Sequence, residues 1–165
     1  MRTGAWYGDV PLNIMFPDNW TVTFLWPRTP PPLTDNQIAD TLERPIGQPP
    51  IRQMCLGKSR PLVIVDDLNR PTPAARVMPF LLNQFRDAGV PAGEVRIMMA
   101  PGTHGPPRAN AMSKKVGVEV SSRCRIFVHD CTHDVVKIGT TSFGTPVIVN
   151  KQILESDFVV GIGGI

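Results

Sequence analysis

The run Pro61-Leu62-Val63-Ile64-Val65 is apolar at every position and stops at a pair of carboxylates, Asp66-Asp67. A half-exposed strand would alternate; an unbroken apolar run bounded in this way belongs to a strand covered on both faces, as in parallel sheets. The next stretch has the period of a helix. After Asn69-Arg70-Pro71-Thr72-Pro73, apolar residues recur at Val77, Met78, Leu81, Leu82 and Phe85, and Gly89 closes the pattern. Thr72 is placed to cap that helix and Pro73 to take its first position, while Pro79 in the interior predicts a kink or a late helix start. A second strand over residues 94–100, Glu-Val-Arg-Ile-Met-Met-Ala, then ends at Pro101-Gly102-Thr103-His104. Strand, helix and strand within residues 61–100 make a βαβ unit, whose right-handed crossover brings both strand ends to one edge of the sheet.

The rest of the chain extends this pattern. Residues 34–43 read as a helix capped by Thr34 or Asp35, carrying Ile38, Ala39 and Leu42, and ended by Pro45 and Gly47. Residues 108–116 suit a polar helix, 125–128 and 145–149 short strands, and 150–155 a helical turn. A last apolar strand over 157–160 runs into Gly161-Ile162-Gly163-Gly164-Ile165. Ahead of all this stand Trp6, Tyr7, Trp20, Phe24 and Trp26, with alternation in Thr21-Val22-Thr23-Phe24-Leu25-Trp26. They predict a small β-rich entry segment and Pro-rich connector over residues 1–33, stiffened by Pro27, Pro30, Pro31 and Pro32. The expected fold class is α/β, with a Rossmann-like, mostly parallel sheet and flanking helices over residues 60–165. A strand that feeds a glycine-rich turn normally continues into a covering helix. The chain, residues 1–165, is therefore expected to be one domain of a longer protein, its C-terminal domain lying outside it.

Composition narrows the function. With 42% hydrophobic and 19% charged residues the chain belongs among folded globular domains. The net charge of +3 is spread thinly, with close basic pairs such as Lys114/Lys115 and Arg123/Arg125 lacking nearby aromatics, so no aromatic-interleaved basic stripe for nucleic acid is present. No apolar run approaches the ~20 residues that span a bilayer. Cys55, Cys124 and Cys131 form neither an even disulfide framework nor a CxxC pair, and the expected compartment is the cytoplasm.

Ligands of open α/β sheets bind outside the carboxyl ends of the strands. Those ends here deliver Asp66, Asp67 and Arg70 from one loop and His104 from the other. Arg70 can grip a carboxylate or phosphate bidentately beside a helix N-terminus, and His104 can act as general acid or base near neutrality. The alternative is structural, with an Asp67–Arg70 ion pair pinning the loop, a solvated Asp66 and an ordinary loop histidine. A noncatalytic carboxylate- or nucleotide-binding module would use the same Arg70 loop. His129, Cys131 and His133 alternate, so on a strand they would share a face, with Cys124 nearby as a fourth zinc ligand; the spacing matches no common structural zinc pattern. Neither GxGxxG nor a P-loop is present.

Three segments, in order, resemble the nickel-dependent lactate racemase family of 2-hydroxy acid racemases and epimerases. They are Asp67-Leu68-Asn69-Arg70-Pro71-Thr72-Pro73, Ala100-Pro101-Gly102-Thr103-His104, and Gly144-Thr145-Pro146-Val147-Ile148-Val149-Asn150 followed by Glu155-Ser156-Asp157. Arg44-Pro45-Ile46-Gly47 fits as well, so the likeness covers nearly the whole chain. The resemblance implies a two-domain isomerase with its site in the cleft between domains. It also implies a nickel pincer nucleotide and hydride transfer to and from a small 2-hydroxy acid. By that likeness Arg70 binds the substrate carboxylate, Asp67 supports the site by hydrogen bonding and charge, and His104 is one of two histidines that take the hydroxyl proton. The second histidine, the cofactor-tethering lysine and the nickel-ligating histidine are expected beyond Ile165, so no residue of this chain is assigned as a metal ligand and the chain alone is expected to be inactive. Where the family commonly has His-Arg, this chain has His104-Gly105-Pro106-Pro107-Arg108, which leaves the identity of the hydroxy acid open.

Overall fold

The computed structural model describes residues 13–26, 28, 30–105, 107 and 109–164. It divides into two units, Met1–Thr34 and Asp35–Ile165. In chain order the second unit carries α1 (Asp35–Glu43), α2 (Ile51–Met54), β1 (Pro61–Asp66), α3 (Ala74–Asp87), a 3-10 turn (Ala92–Glu94) and β2 (Arg96–Ala100). It continues with α4 (Ala111–Val116), α5 (Val118–Arg123), β3 (Arg125–Val128), β4 (Val135–Thr140), β5 (Pro146–Asn150), α6 (Lys151–Leu154) and β6 (Phe158–Ile162).

The βαβ unit forms as its sequence requires. β1 and β2 are parallel neighbours, with Leu62 beside Arg96 and Asp66 beside Ala100, and they are the two inner strands of a sheet ordered β3-β2-β1-β6. All three pairings in that sheet are parallel. This is the expected mostly parallel α/β architecture. β4 and β5 stand apart as an antiparallel hairpin with a register irregularity between Lys137 and Gly139.

One sheet face carries the core. Val63 and Val65 of β1 and Ile97 and Met99 of β2 pack beneath Ala74, Met78, Leu81 and Phe85 of α3, with Ala111, Val116 and Val120 from α4 and α5 closing the layer. Phe85 is fully buried and meets Phe158 edge to face at 6.4 Å between ring centroids. Of the helical stripe read from sequence, Met78, Leu81 and Phe85, with Leu82 at the edge, form the seam that fixes α3 on the sheet, and Val77 lies outside it. Pro79 lies inside α3 on its exposed side, where water can meet the carbonyl that proline leaves without a donor. Arg96, a charge within an otherwise apolar strand, is buried against α6 and its flank, which take the hydrogen bonds of its two terminal nitrogens. Its guanidinium donates to Gln152 Oε1 at 2.9 Å, Ser156 Oγ at 2.7 Å and the Arg60 carbonyl at 3.3 Å.

Several elements differ from the sequence reading. Residues 21–26 form no strand, and among the described residues of the first unit there is no strand at all. Alternation marks a face, but a ladder needs a partner to satisfy its backbone, and none is present there among the described residues. Thr72 does not cap α3: Pro73 occupies that position without a side-chain cap, and the Thr72 hydroxyl donates to Asp66 instead. β2 starts at Arg96 rather than residue 94 because Ala92–Glu94 tighten into a 3-10 turn. α5 and β4 form where the sequence showed no periodic signal.

Candidate active site

From β1 the chain crosses through α3 to β2, then through α4 and α5 to β3, moving outward along one side of the sheet; β6 then inserts on the other side of β1. The winding thus reverses between β1 and β6. A crevice at such a reversal, beyond the carboxyl ends of the strands, is where open α/β sheets bind ligands. The loop 67–73 after β1 and the turn Gly163-Gly164 after β6 border it, and the loop carrying His104 comes after the next strand, β2.

Asp67 and His104 meet on this edge. The His104 Nδ1 lies 2.7 Å from Asp67 Oδ2, while Asn69 donates from Nδ2 to the same oxygen at 2.5 Å and from its backbone N–H to Oδ1 at 3.1 Å. The Asn69 amide nitrogen and the His104 Nδ1 stand 3.0 Å apart because both point at that one acceptor. The carboxylate holds the ring proton on Nδ1, a tautomer assigned from this network, and leaves Nε2 as an acceptor. Asp67 is only 6% exposed. Burial pushes its carboxyl up, but the hydrogen bonds from His104 and Asn69 outweigh this and leave it below the usual carboxylate range. His104 itself is exposed, so the ring is anchored on its inner edge and open on its outer one.

The neighbouring carboxylate has a different environment. Asp66 accepts from Thr72 Oγ1 at 2.5 Å and from the Gly164 backbone N–H at 3.3 Å on Oδ2, and its Oδ1 pairs with Lys115 Nζ at 2.5 Å. Lys115, from α4, is fully buried and also donates to the carbonyls of Asp67 at 3.1 Å and Arg70 at 3.0 Å. The expectation of a solvated Asp66 is thereby corrected: it joins the ends of β1 and β6. Sequence reading missed Lys115 and Asn69. The available signal for Lys115 was its place one helical turn after Ala111 and beside Val116, on the side of α4 that turns inward.

Arg70 is exposed on the same loop and lines a crevice of about 400 Å³ with Pro71, Thr72, Pro73, Gly163 and Gly164. The crevice sits at the N-terminal end of α3, where the helix dipole favours an anion. A second cavity, of about 490 Å³, opens beside His104 and is bordered by Pro101, Pro107, Val128, His129 and Cys131. The sequence-named residues Asp67, Arg70 and His104 therefore gather on one edge between two cavities.

The zinc alternative loses its premise. β3 ends at Val128, so residues 129–133 lie in a loop and not on a common strand face. His129 Nδ1 lies 3.2 Å from Asn150 Nδ2, and His133 Nδ1 lies 3.1 Å from Asp130 Oδ2. Asp130 is held well below the usual carboxylate range by hydrogen bonds from the hydroxyl and amide of Thr132 and from His133. Burial raises the Cys124 thiol. Among the described residues no group of three or more His, Cys, Asp or Glu side chains could hold a metal ion.

A four-stranded parallel sheet flanked by helices, with Asp67, Arg70 and His104 on one edge, defines a Rossmann-like α/β domain. The family model described as the lactate racemase N-terminal domain matches residues 7–165, and the chain belongs to that family. It is 31% identical over 128 residues to a lactate racemase of Lactiplantibacillus plantarum, covering 76% of this chain and 30% of that protein. A lactate racemase of Thermoanaerobacterium thermosaccharolyticum matches with the same identity and coverage. The structure of the lactate racemase apoprotein from Thermoanaerobacterium thermosaccharolyticum superposes with a TM-score of 0.70 at 28% identity, over 77% of this chain and 31% of that one. The chain thus spans about 30% of the length of the curated relatives it matches. No helix among the described residues is long and apolar enough to cross a membrane.

Proposed function

We propose that this domain supplies the substrate-handling half of an isomerase that racemises or epimerises a small 2-hydroxy acid, with Asp67, Arg70 and His104 as its working residues. The observation that carries the reading is the Asp67–His104 pair, 2.7 Å apart on the edge that also presents Arg70. Arg70 holds the substrate carboxylate with its planar fork, as its exposed position on the crevice allows. With Nδ1 committed to Asp67, His104 accepts the substrate hydroxyl proton on Nε2 as the alcohol carbon is oxidised and returns it when the carbon is reduced. Asp67 stabilises the imidazolium formed in between, and Asn69 keeps Asp67 from rotating. A positioned base of this kind contributes about 10²–10⁴-fold in rate.

The residues fit a nickel pincer nucleotide only in part. Crevice amides and the α3 N-terminus suit an anionic nucleotide, so Thr72, Gly163 and Gly164 are the residues of this chain that would adjoin it. The metal and the covalent tether need other side chains: in this reading His104 Nε2 is taken by the substrate proton, and Lys115 is buried against Asp66. We assign the nickel-holding histidine, the tethering lysine and the second base to the part of the enzyme outside this chain, its C-terminal domain. When bound, the nickel pincer nucleotide supplies the acceptor and donor of hydride for the 2-hydroxy to 2-keto interconversion.

The test is conversion of single enantiomers of small 2-hydroxy acids by the full-length protein loaded with cofactor, with Arg70→Ala and His104→Ala as controls. Interconversion weakened through KM in Arg70→Ala and through kcat in His104→Ala supports the assignment. Carboxylate binding that depends on Arg70 but yields no turnover in the loaded protein would replace it with the noncatalytic module.

A further inference from the structure

Lys115 is fully buried, and an ammonium taken out of water costs several kcal/mol unless it is paired and fully hydrogen-bonded. A side chain needed only to fill space between α4 and the sheet would be apolar. What the ammonium reaches explains its retention. It forms an ion pair with Asp66 Oδ1 at 2.5 Å and donates to the Asp67 carbonyl at 3.1 Å and the Arg70 carbonyl at 3.0 Å. The two carbonyls bracket residues 67–70, the stretch that carries Asp67, Asn69 and Arg70. Asp66, the ion-pair partner, is itself tied to Thr72 and to the Gly164 amide. One buried cation therefore clamps the β1 loop at both ends and connects it to the crevice rim.

We propose that Lys115 is a positioning residue that locks residues 67–70 into the geometry in which Asp67 orients His104 and Arg70 meets its ligand. This rests on the reading of Asp67, Arg70 and His104 as the site. The lock acts through backbone carbonyls, so it differs from simple neutralisation of Asp66, and the difference is measurable. In the paired variant Lys115→Met/Asp66→Asn no buried charge is left uncompensated, yet the two carbonyls lose their donor.

The experiment combines amide hydrogen exchange with kinetics on the full-length, cofactor-loaded protein. Positioning predicts that the paired variant melts close to the unaltered protein. It also predicts that the amides of Asn69 and Arg70, bonded to Asp67 Oδ1 and the Asp67 carbonyl, exchange at least about tenfold faster while those of Val63 and Val65 do not change. Turnover falls by about 10–10²-fold in kcat/KM, with KM raised and kcat lowered together, because the lock serves both Arg70 and Asp67. Recovery of turnover to the unaltered level in the paired variant, or unchanged exchange at Asn69 and Arg70, overturns the proposal. If the paired variant does not fold, the unaltered protein decides. Lys115 ammonium protons exchanging at least about tenfold more slowly than those of exposed Lys58 support the lock, and equal rates overturn it. The exchange results do not depend on turnover, so a full-length protein that fails to interconvert hydroxy acids refutes the proposed function separately.

Discussion

Asp67→Asn separates charge from shape at the centre of the site. The asparagine is nearly isosteric, but it offers one acceptor and one donor where Asp67 offers two acceptors. The carboxylate receives three bonds, from His104 Nδ1 and Asn69 Nδ2 on Oδ2 and from the Asn69 backbone N–H on Oδ1. If the amide nitrogen takes the Oδ2 place it faces two donors; if it takes the Oδ1 place it faces the Asn69 N–H. Each orientation leaves a donor unmatched beside a group only 6% exposed, which costs about 1–3 kcal/mol of stability. The first orientation also favours the His104 tautomer with its proton on Nε2, which removes the acceptor that takes the substrate proton, so kcat falls by about 10²–10⁴-fold with little change in KM. Linkage supplies an independent check. The folded-state pKa of Asp67 lies below its unfolded value, so its contribution is fully present above the ordinary carboxylate range of about 4 and is lost as pH falls through the lower folded value. The stability gap between the unaltered protein and Asp67→Asn, read from urea unfolding, must therefore be wide at pH 7 and narrow progressively below about pH 4. A gap that stays constant across that range, or a variant with undiminished kcat, would refute the assignment of Asp67 as the charged partner of His104.

Arg70→Ala is expected to raise the KM for a 2-hydroxy acid by about 10–150-fold, the equivalent of losing a charge-assisted bond of about 1.5–3 kcal/mol, and to leave the melting temperature near that of the unaltered protein because the side chain is exposed. Arg70→Lys should recover only part of the loss, since a lysine lacks the planar fork. Phe85→Ala empties the centre of the α3–sheet seam and should lower stability by about 3–5 kcal/mol in denaturant titration, with no preference for either kinetic constant. In Gly164→Ala the new methyl would meet Thr72 Oγ1 at 3.0 Å, so the Thr72–Asp66 bond must shift; a loss of about 1–3 kcal/mol in thermal unfolding is expected, and a neutral result would show that the turn yields freely. Burial raises the Asp157 carboxyl, but the Ser59 and Arg60 amides outweigh this and hold it low, so it should add to the acid-limb slope, and Asp157→Ala should flatten the fall of stability below about pH 4.

What the sequence disclosed and what it hid depend on the range of each signal. β1, α3 and β2 were legible because their apolar patterns are long and regular, and each buries the face its period marks. α5 is six residues long, under two turns, and β4 is interrupted by Gly139 at its register irregularity, so neither offers a periodicity to read. At the site, Asp67, Arg70 and His104 could be named because strand ends in a βαβ unit are predictable places. Lys115 differs from Lys114 only in sharing the register of Ala111, a faint signal in a six-residue helix. The partners of Asp67 turned out to be His104 and Asn69 through contacts that depend on loop conformation, a property no short-range pattern encodes. The strand expected over residues 21–26 shows the converse: alternation is a necessary mark of a half-buried strand but does not supply the partner that makes one.

The adjacent pair Asp66-Asp67 shows how strand geometry divides labour. Successive residues at a strand end project to opposite sides, so two identical side chains one peptide apart must meet different neighbours. Asp66 turns toward Lys115, Thr72 and the Gly164 amide, and its charge is consumed in joining the ends of β1 and β6. Asp67 turns toward His104 and Asn69, and its charge remains directed at an exposed imidazole. Exchanging the two roles by sliding the loop one residue would put a carboxylate without a cation beside the core and a cation-bound one beside the base. The buried lysine forbids that slip, because its ammonium reaches Asp66 and the two flanking carbonyls only in the present register. A one-residue insertion between Asp66 and Asp67 should therefore abolish turnover and lower the melting temperature together, whereas the same insertion between Thr141 and Gly144, at the exposed hairpin tip, should change neither by more than a small amount. Equal tolerance at the two places would mean that register at the β1 end is not what orders the site.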